Sequence, residues 1–151
     1  MHRLFATFVG GSGAAGLLAL RLVAGAAMLL HGWPKIQNPM GWMGDAPVPG
    51  ILQAAAAVAE FGGGISWILG ALTPLFSLLL VGNMAFATFM VHLAQRHPFV
   101  GPPSMPAGES AEAAVLYLAI ALMFLLVGPG KLSVDYCLFR QPHSTSLPPA
   151  T

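Results

Sequence analysis

Long apolar stretches alternate with short polar ones along most of this chain. The clearest stretch runs from Leu17 to Lys35, LLALRLVAGAAMLLHGWPK, and carries the charged residue Arg21. An apolar run of this length is typical of a helix that crosses a membrane. We expect Pro34 to stop this helix, because proline lacks the N–H that would continue it. The predicted span covers about residues 14–30.

The same pattern recurs three times further along the chain. Thr73-Pro74 predicts a tight turn between two runs, and Ser110 is suited to cap the last of them. The predicted spans are about 14–30, 51–72, 75–93 and 111–127. The pattern therefore predicts an all-α integral membrane protein, a four-helix transmembrane bundle formed by residues 1–140 as one domain. The polar, proline-rich residues 141–151 are expected to be a disordered tail.

The composition supports a membrane protein. Hydrophobic residues make up 56% of the chain and charged residues only 7%, whereas a soluble domain carries about a quarter charged residues. The net charge of +1 gives no indication of a nucleic-acid partner. Cys137 is the single cysteine, so neither an intramolecular disulfide cycle nor a cysteine metal site is available, and we predict no metal centre.

Arg21 and Glu60 are charges inside two successive apolar runs. A charge in a span is costly, and it usually faces the protein interior and has a partner. Counted from the first long loop, both residues lie about 14–15 Å below the same membrane face. We therefore predict a buried Arg21–Glu60 ion pair, either structural or part of a catalytic or proton-relay site. Asn83 lies mid-span in the third run and could hydrogen-bond either charge, or make an ordinary contact between helices.

The orientation depends on a small charge bias. An even number of spans puts both termini on one side, together with Arg3, Lys131 and Arg140, while Lys35 and Arg96 lie on the other. The positive-inside rule then favours cytoplasmic termini by one charge.

Four polar residues would consequently lie at the outer ends of the helices. These candidate catalytic residues are His31, Lys35, His92 and Glu112. Histidine exchanges protons near neutral pH, and lysine can stabilise an oxyanion. Each histidine could equally be an interfacial side chain, and Glu112 could simply complement the dipole of the fourth helix.

Several motifs occur in the order found in a known family. They are Leu20-Arg21-Leu22, His31-Gly32-Trp33-Pro34-Lys35, Glu60-Phe61-Gly62-Gly63, His92 at the end of the third span, and the exit from the fourth, residues 128–135. Together they resemble the DoxX family of small bacterial and archaeal membrane proteins, over about residues 14–136.

The resemblance implies a four-helix transmembrane bundle in a cytoplasmic membrane. The family includes a subunit of an archaeal thiosulfate:quinone oxidoreductase, and other members are associated with sulfur and redox-stress proteins. Related enzymes that use cysteine pairs for thiol chemistry are a poor guide here, because this chain has only Cys137.

Two functions compete. The first is a quinone-linked redox subunit, in which the helices form an apolar slot and the polar residues serve a quinone. The second is a non-catalytic accessory or assembly subunit of a larger membrane complex. Haem held by His31 and His92 is disfavoured, because both residues lie near the membrane interface. The expected partners are the lipid bilayer and either other membrane subunits or further copies of this chain.

Overall fold

The computed structural model of the protein describes residues 8–106 and 108–139, and within these residues it contains helices and no strand. The elements are α1 (Gly11–Gln37), α2 (Gly50–Leu69), α3 (Thr73–Phe86) continuing as a π-helical segment (Ala87–Leu93), α4 (Glu112–Val127) and α5 (Val134–Phe139). The predicted disordered tail, 141–151, lies outside the described residues.

Three of these helices are long and apolar enough to cross a membrane. They are α1, α2 and the continuous helix Thr73–Leu93, whereas α4 is a shorter apolar helix of 16 residues. At 1.5 Å per residue α4 is about 24 Å long, a little less than a typical hydrocarbon core. The outward surface carries large apolar side chains such as Val23, Leu30 and Leu126, which suits lipid contact. The predicted class, an all-α integral membrane bundle, is confirmed.

Helix α1 is longer than the sequence predicts. It continues through Pro34 to Gln37 and does not stop at Leu30. Proline removes its own hydrogen bond to the carbonyl four residues earlier and crowds that carbonyl, but Pro34 lies in the last turns, where little helix remains to be disturbed. The additional turns carry Lys35 as part of the helix, and this position determines its contacts.

Helices α1 and α2 are antiparallel and approach closely through glycine. A Cβ atom added at Gly64 would lie 2.5 Å from the Leu29 nitrogen and 2.7 Å from the Gly25 carbonyl oxygen. A Cβ at Gly32 would collide with the backbone of Phe61. Small residues at such positions let membrane helices pack backbone to backbone. This packing sets the level of each α1 side chain relative to α2.

The core joins α1, α2, α3 and α4 around Trp67, which is fully buried. Its indole N–H donates to the Ser77 hydroxyl at 3.0 Å, and its ring lies 5.0 Å from that of Phe124.

The bundle has two distinct ends, because the connections between helices are long at one end and short at the other. We call the end with residues 38–49, 94–106 and 108–111 the long-loop end, and the end with residues 70–72 and 128–139 the short-turn end.

Candidate functional site

A pocket of about 420 Å³ lies between α2 and α3 at the long-loop end. Its lining is mostly apolar and includes Leu52, Leu78 and Phe86, with Ala87 and Val91 contributed by the π-helical segment. Ligand pockets for small molecules typically have volumes of about 300–1,000 Å³. Short π-helical segments occur frequently at functional sites. The pocket therefore has the size and the character of a site for an apolar molecule.

Three polar side chains meet in this pocket. The Lys35 ammonium lies 2.6 Å from each carboxylate oxygen of Glu60, and the Asn83 amide donates to Glu60 Oε1 at 3.0 Å. The Glu60 side chain is 5% exposed and that of Lys35 is 22% exposed. Since the two charges cancel, the pocket contains a compact polar group without net charge.

The polar group retains some unused hydrogen-bonding capacity. An ammonium has three N–H donors, and Glu60 takes two of them. Within the described residues, the contact with Glu60 is the one hydrogen bond of the Asn83 side chain, which also has an acceptor and a second N–H. A bound molecule could therefore exchange hydrogen bonds with Lys35 and Asn83 without breaking the ion pair.

The loop of residues 38–49 covers the pocket at the long-loop end. Gln53, buried in the first turn of α2, accepts from the Met43 N–H and donates to the Val48 carbonyl. The Trp42 indole donates to the Gln53 carbonyl at 3.0 Å, and the Lys35 ammonium lies 4.4 Å from the centre of the Trp42 ring. Such a cation–π contact helps to hold an ammonium in a partly desolvated place.

The predicted Arg21–Glu60 ion pair is wrong. Glu60 pairs with Lys35, and Arg21 lies beside Trp67 and Ile68, near the other end of α2. Eight residues of α2 separate Ile68 from Glu60, a distance of about 12 Å along the helix. The prediction assumes that α1 ends at about Leu30, whereas α1 continues to Gln37, so Arg21 lies deeper below the first long loop than Glu60 does. Side chains lean toward the N-terminus of their own helix, so in antiparallel helices Lys35 and Glu60 lean toward each other.

Arg21 instead links elements at the short-turn end. Its guanidinium donates to the carbonyls of Trp67, Pro129 and Leu132, each at 2.8 Å, and Arg21 is 1% exposed. The nearby acid that acts electrostatically on Arg21 is Asp135. The end of α2 thereby gains a cation beside its last carbonyls, which complements the helix dipole. Arg21 is therefore a structural residue that fixes the segment after α4.

Asp135 completes this structural centre. Its two carboxylate oxygens accept from the backbone N–H groups of Leu72 and Thr73, at 2.7 and 2.9 Å. These are donors at the start of α3 that have no partner within the helix. The residues 128–135 thus connect α1, α2 and α3 at the end opposite the pocket.

The four candidate catalytic residues make different contacts. Lys35 is in the pocket, the His31 ring contacts Tyr117 with centroids 6.1 Å apart, and the Nδ1 atoms of His92 and His97 are 3.1 Å apart. Glu112 begins α4 and is half-buried. Within the described residues no hydrogen bond, ion pair or ring contact joins any two of the four. Their catalytic role stays a prediction, and of the four only Lys35 lines the pocket.

Two pocket residues were not recognised from the sequence. Gln53 is a polar residue at the start of an apolar run, a pattern that signals an inward contact, but nothing local identifies the loop as its partner. Trp42 fits an aromatic belt at the membrane interface, and its contact with Lys35 depends on the path of the loop. The predicted option of an Asn83–Glu60 hydrogen bond is confirmed.

The fold and the pocket together define an integral membrane helical bundle with a partly polar cavity between two of its helices. The sequence model of the DoxX family matches residues 16–93, which contain Lys35, Glu60 and Asn83. The chain belongs to the DoxX family, as its motifs indicated.

Two relatives cover most of this chain. A Haemophilus influenzae protein described as uncharacterized is 31% identical over 127 residues, or 83% of this chain and 92% of the relative. The inner membrane protein YqjF of Escherichia coli is 28% identical over 132 residues, or 83% of this chain and 94% of the relative. No solved structure matches the chain.

Proposed function

We propose that this DoxX protein is a multi-pass protein of the inner membrane that binds a quinone between α2 and α3 and serves as a small quinone-linked redox subunit. The observation that carries the proposal is the Lys35–Glu60–Asn83 group at the base of an apolar pocket of about 420 Å³. The inner-membrane location is supported by the relative YqjF, and cytoplasmic termini are favoured by the charge bias.

The neutrality of the polar group favours an uncharged ligand. A carboxylate or phosphate would have to compete with Glu60 for Lys35, and a cation would have to compete with Lys35 for Glu60. A quinone is uncharged, and its carbonyl oxygens accept hydrogen bonds of the kind that Lys35 and Asn83 can still donate. Its ring suits the apolar wall formed by residues such as Leu79 and Phe86.

The same groups suit the chemistry of quinone reduction. A quinone takes up two electrons and two protons to become a quinol. In this proposal the electrons come from a reduced redox protein that binds this subunit and is oxidised in the exchange. The Lys35 ammonium would stabilise the negative charge that develops on a ring oxygen. Glu60 would relay protons that enter from water past the partly exposed Lys35, one proton for each of the two ring oxygens.

Binding to matched variants tests the proposal. The purified protein is titrated with a tail-less benzoquinone, and Asn83→Ala is compared with Asp45→Asn, since Asp45 is exposed and does not line the pocket. Loss of one hydrogen bond to the ligand should weaken binding by about tenfold in Asn83→Ala and leave Asp45→Asn unchanged. Equal affinity in both folded variants would contradict a site at Asn83.

The accessory-subunit function rests on a different observation. Lys35 and Glu60 satisfy each other's charge, as a pair that only joins α1 to α2 would also do. An accessory role predicts that a membrane partner copurifies equally with wild type and with Asn83→Ala, and that neither binds quinone. Quinone binding that depends on Asn83 would exclude a purely structural pair.

A further inference from the structure

The long loop bounds the pocket at one end, and α2 and α3 form its walls. Trp42, Met43 and Val48 line it on the loop side, and the hydrogen bonds of Gln53 hold this loop in place. The opposite boundary is formed by α2 and α3, which carry exposed leucines at Leu52 and Leu78. In a bilayer these exposed side chains face lipid, so between α2 and α3 the pocket adjoins the membrane.

Small residues line part of the pocket. Ala55 and Ala56 line it from α2, and Gly82 lines it from α3. Gly82 is exposed, and a Cβ atom added there would meet nothing within 4 Å. Larger residues on both sides, such as Leu79 and Phe86, leave Gly82 as a gap in the wall of α3. Gly82 precedes Asn83 in α3, and both residues line the pocket that contains the polar group.

We propose that the ligand enters sideways from the bilayer between α2 and α3, and that its long apolar tail remains in the groove beside Gly82. This inference rests on the proposed quinone function and assigns the substrate class, a quinone with a polyisoprenoid tail. The polar ring reaches Lys35 and Asn83, while the tail leaves through the gap into lipid. Gly82 is then a residue that determines specificity for tailed ligands.

A bulky side chain at Gly82 should affect binding of a tailed quinone but not of a tail-less one. A bulky side chain at Gly82 fills the exit of the tail, but the described neighbours leave room for it, so the helix itself is not disturbed. A tail-less quinone needs no exit and still reaches Asn83. A leucine side chain in the groove displaces the tail from the apolar surface that it would bury there, and losing that burial is expected to weaken binding by about tenfold or more.

The test compares Gly82→Leu with Gly16→Leu, using two quinones that share a ring and differ only in the presence of the tail. Gly16 is a matched control, because it is an exposed glycine of α1 with nothing within 4 Å of an added Cβ, and it does not line the pocket. Each variant is first checked for a single folded species in detergent. Affinities are then measured at equilibrium, so that the loss can be assigned to tail or ring.

The expected result is that Gly82→Leu weakens binding of the tailed quinone by about tenfold or more and changes binding of the tail-less quinone by less than about threefold, with Gly16→Leu unchanged for both. Unchanged binding of the tailed quinone by Gly82→Leu, or equal loss of both quinones, would overturn the tail groove while leaving the ring site in place. If wild type binds neither quinone, the proposed function itself fails, and the groove assignment fails with it.

Discussion

The Lys35–Glu60 contact allows a quantitative expectation. Lys35→Met leaves the Glu60 carboxylate in a site where its side chain is 5% exposed, with Asn83 as its remaining partner. Breaking a buried pair by removing one partner typically costs about 3–5 kcal/mol. Because Lys35 is 22% exposed, water can replace part of the interaction, and we expect about 3 kcal/mol.

The double variant isolates the interaction from the effect of each residue. Lys35→Met combined with Glu60→Gln removes both charges, keeps similar volumes and leaves an amide that can still bond to Asn83. We therefore expect the double variant to be more stable than the sum of the single changes implies, with a coupling energy of about 2 kcal/mol. The assay is reversible unfolding in mixed detergent micelles, followed by helix content, for wild type and all three variants.

A second cycle serves as the control. Arg21→Leu and Glu60→Gln change charges about 12 Å apart along the bundle, and Arg21 has only backbone carbonyls as hydrogen-bond acceptors within the described residues. Their effects should be additive within about 0.5 kcal/mol. Strong coupling in this second cycle, or additivity in the Lys35 cycle, would refute the assignment of Glu60 to Lys35.

Three further outcomes are expected. Gly64→Ala should destabilise the protein by about 1–3 kcal/mol in the same unfolding assay, because the new Cβ would lie 2.5 Å from the Leu29 nitrogen. The control Gly16→Ala has open space around its Cβ and should not be destabilised. Equal stability of the two variants would contradict the close α1–α2 contact. Asp135→Ala should cost about 3 kcal/mol by removing two acceptors from the start of α3, and a neutral effect would show that these bonds are dispensable. Cys137 is exposed and should react with a membrane-impermeant maleimide only after cells are opened; labelling of intact cells would reverse the orientation.

The membrane class could be predicted from the sequence because the bilayer imposes a simple rule. Backbone groups in hydrocarbon need internal hydrogen bonds, so long apolar segments must be helices. The described helices lie over the four apolar runs. Pro34 shows where a local rule fails, since the packing of Gly32 against Phe61 supports α1 beyond the residue at which proline alone would end it.

The partners of the charged residues could not be obtained in the same way. Which acid meets Arg21 or Lys35 depends on helix register, and a shift of two turns exchanges one partner for another. Arg21 donates its hydrogen bonds to backbone carbonyls, and every residue has one, so no residue type in the sequence identifies these acceptors. Asn83 was recognised because an amide inside an apolar run is conspicuous, but its choice of Glu60 over Arg21 required the fold.

Photoaffinity labelling tests the location of the proposed quinone site most directly. The purified protein is irradiated with a quinone that carries an azide on its ring, and the modified peptides are identified by mass spectrometry. The account predicts label on residues 42–60 and 78–91, which surround the α2–α3 pocket, and loss of this label in the presence of excess unmodified quinone. Competable label confined to residues 20–24 and 113–120, which line a second cavity of about 260 Å³ between α1 and α4, would contradict it.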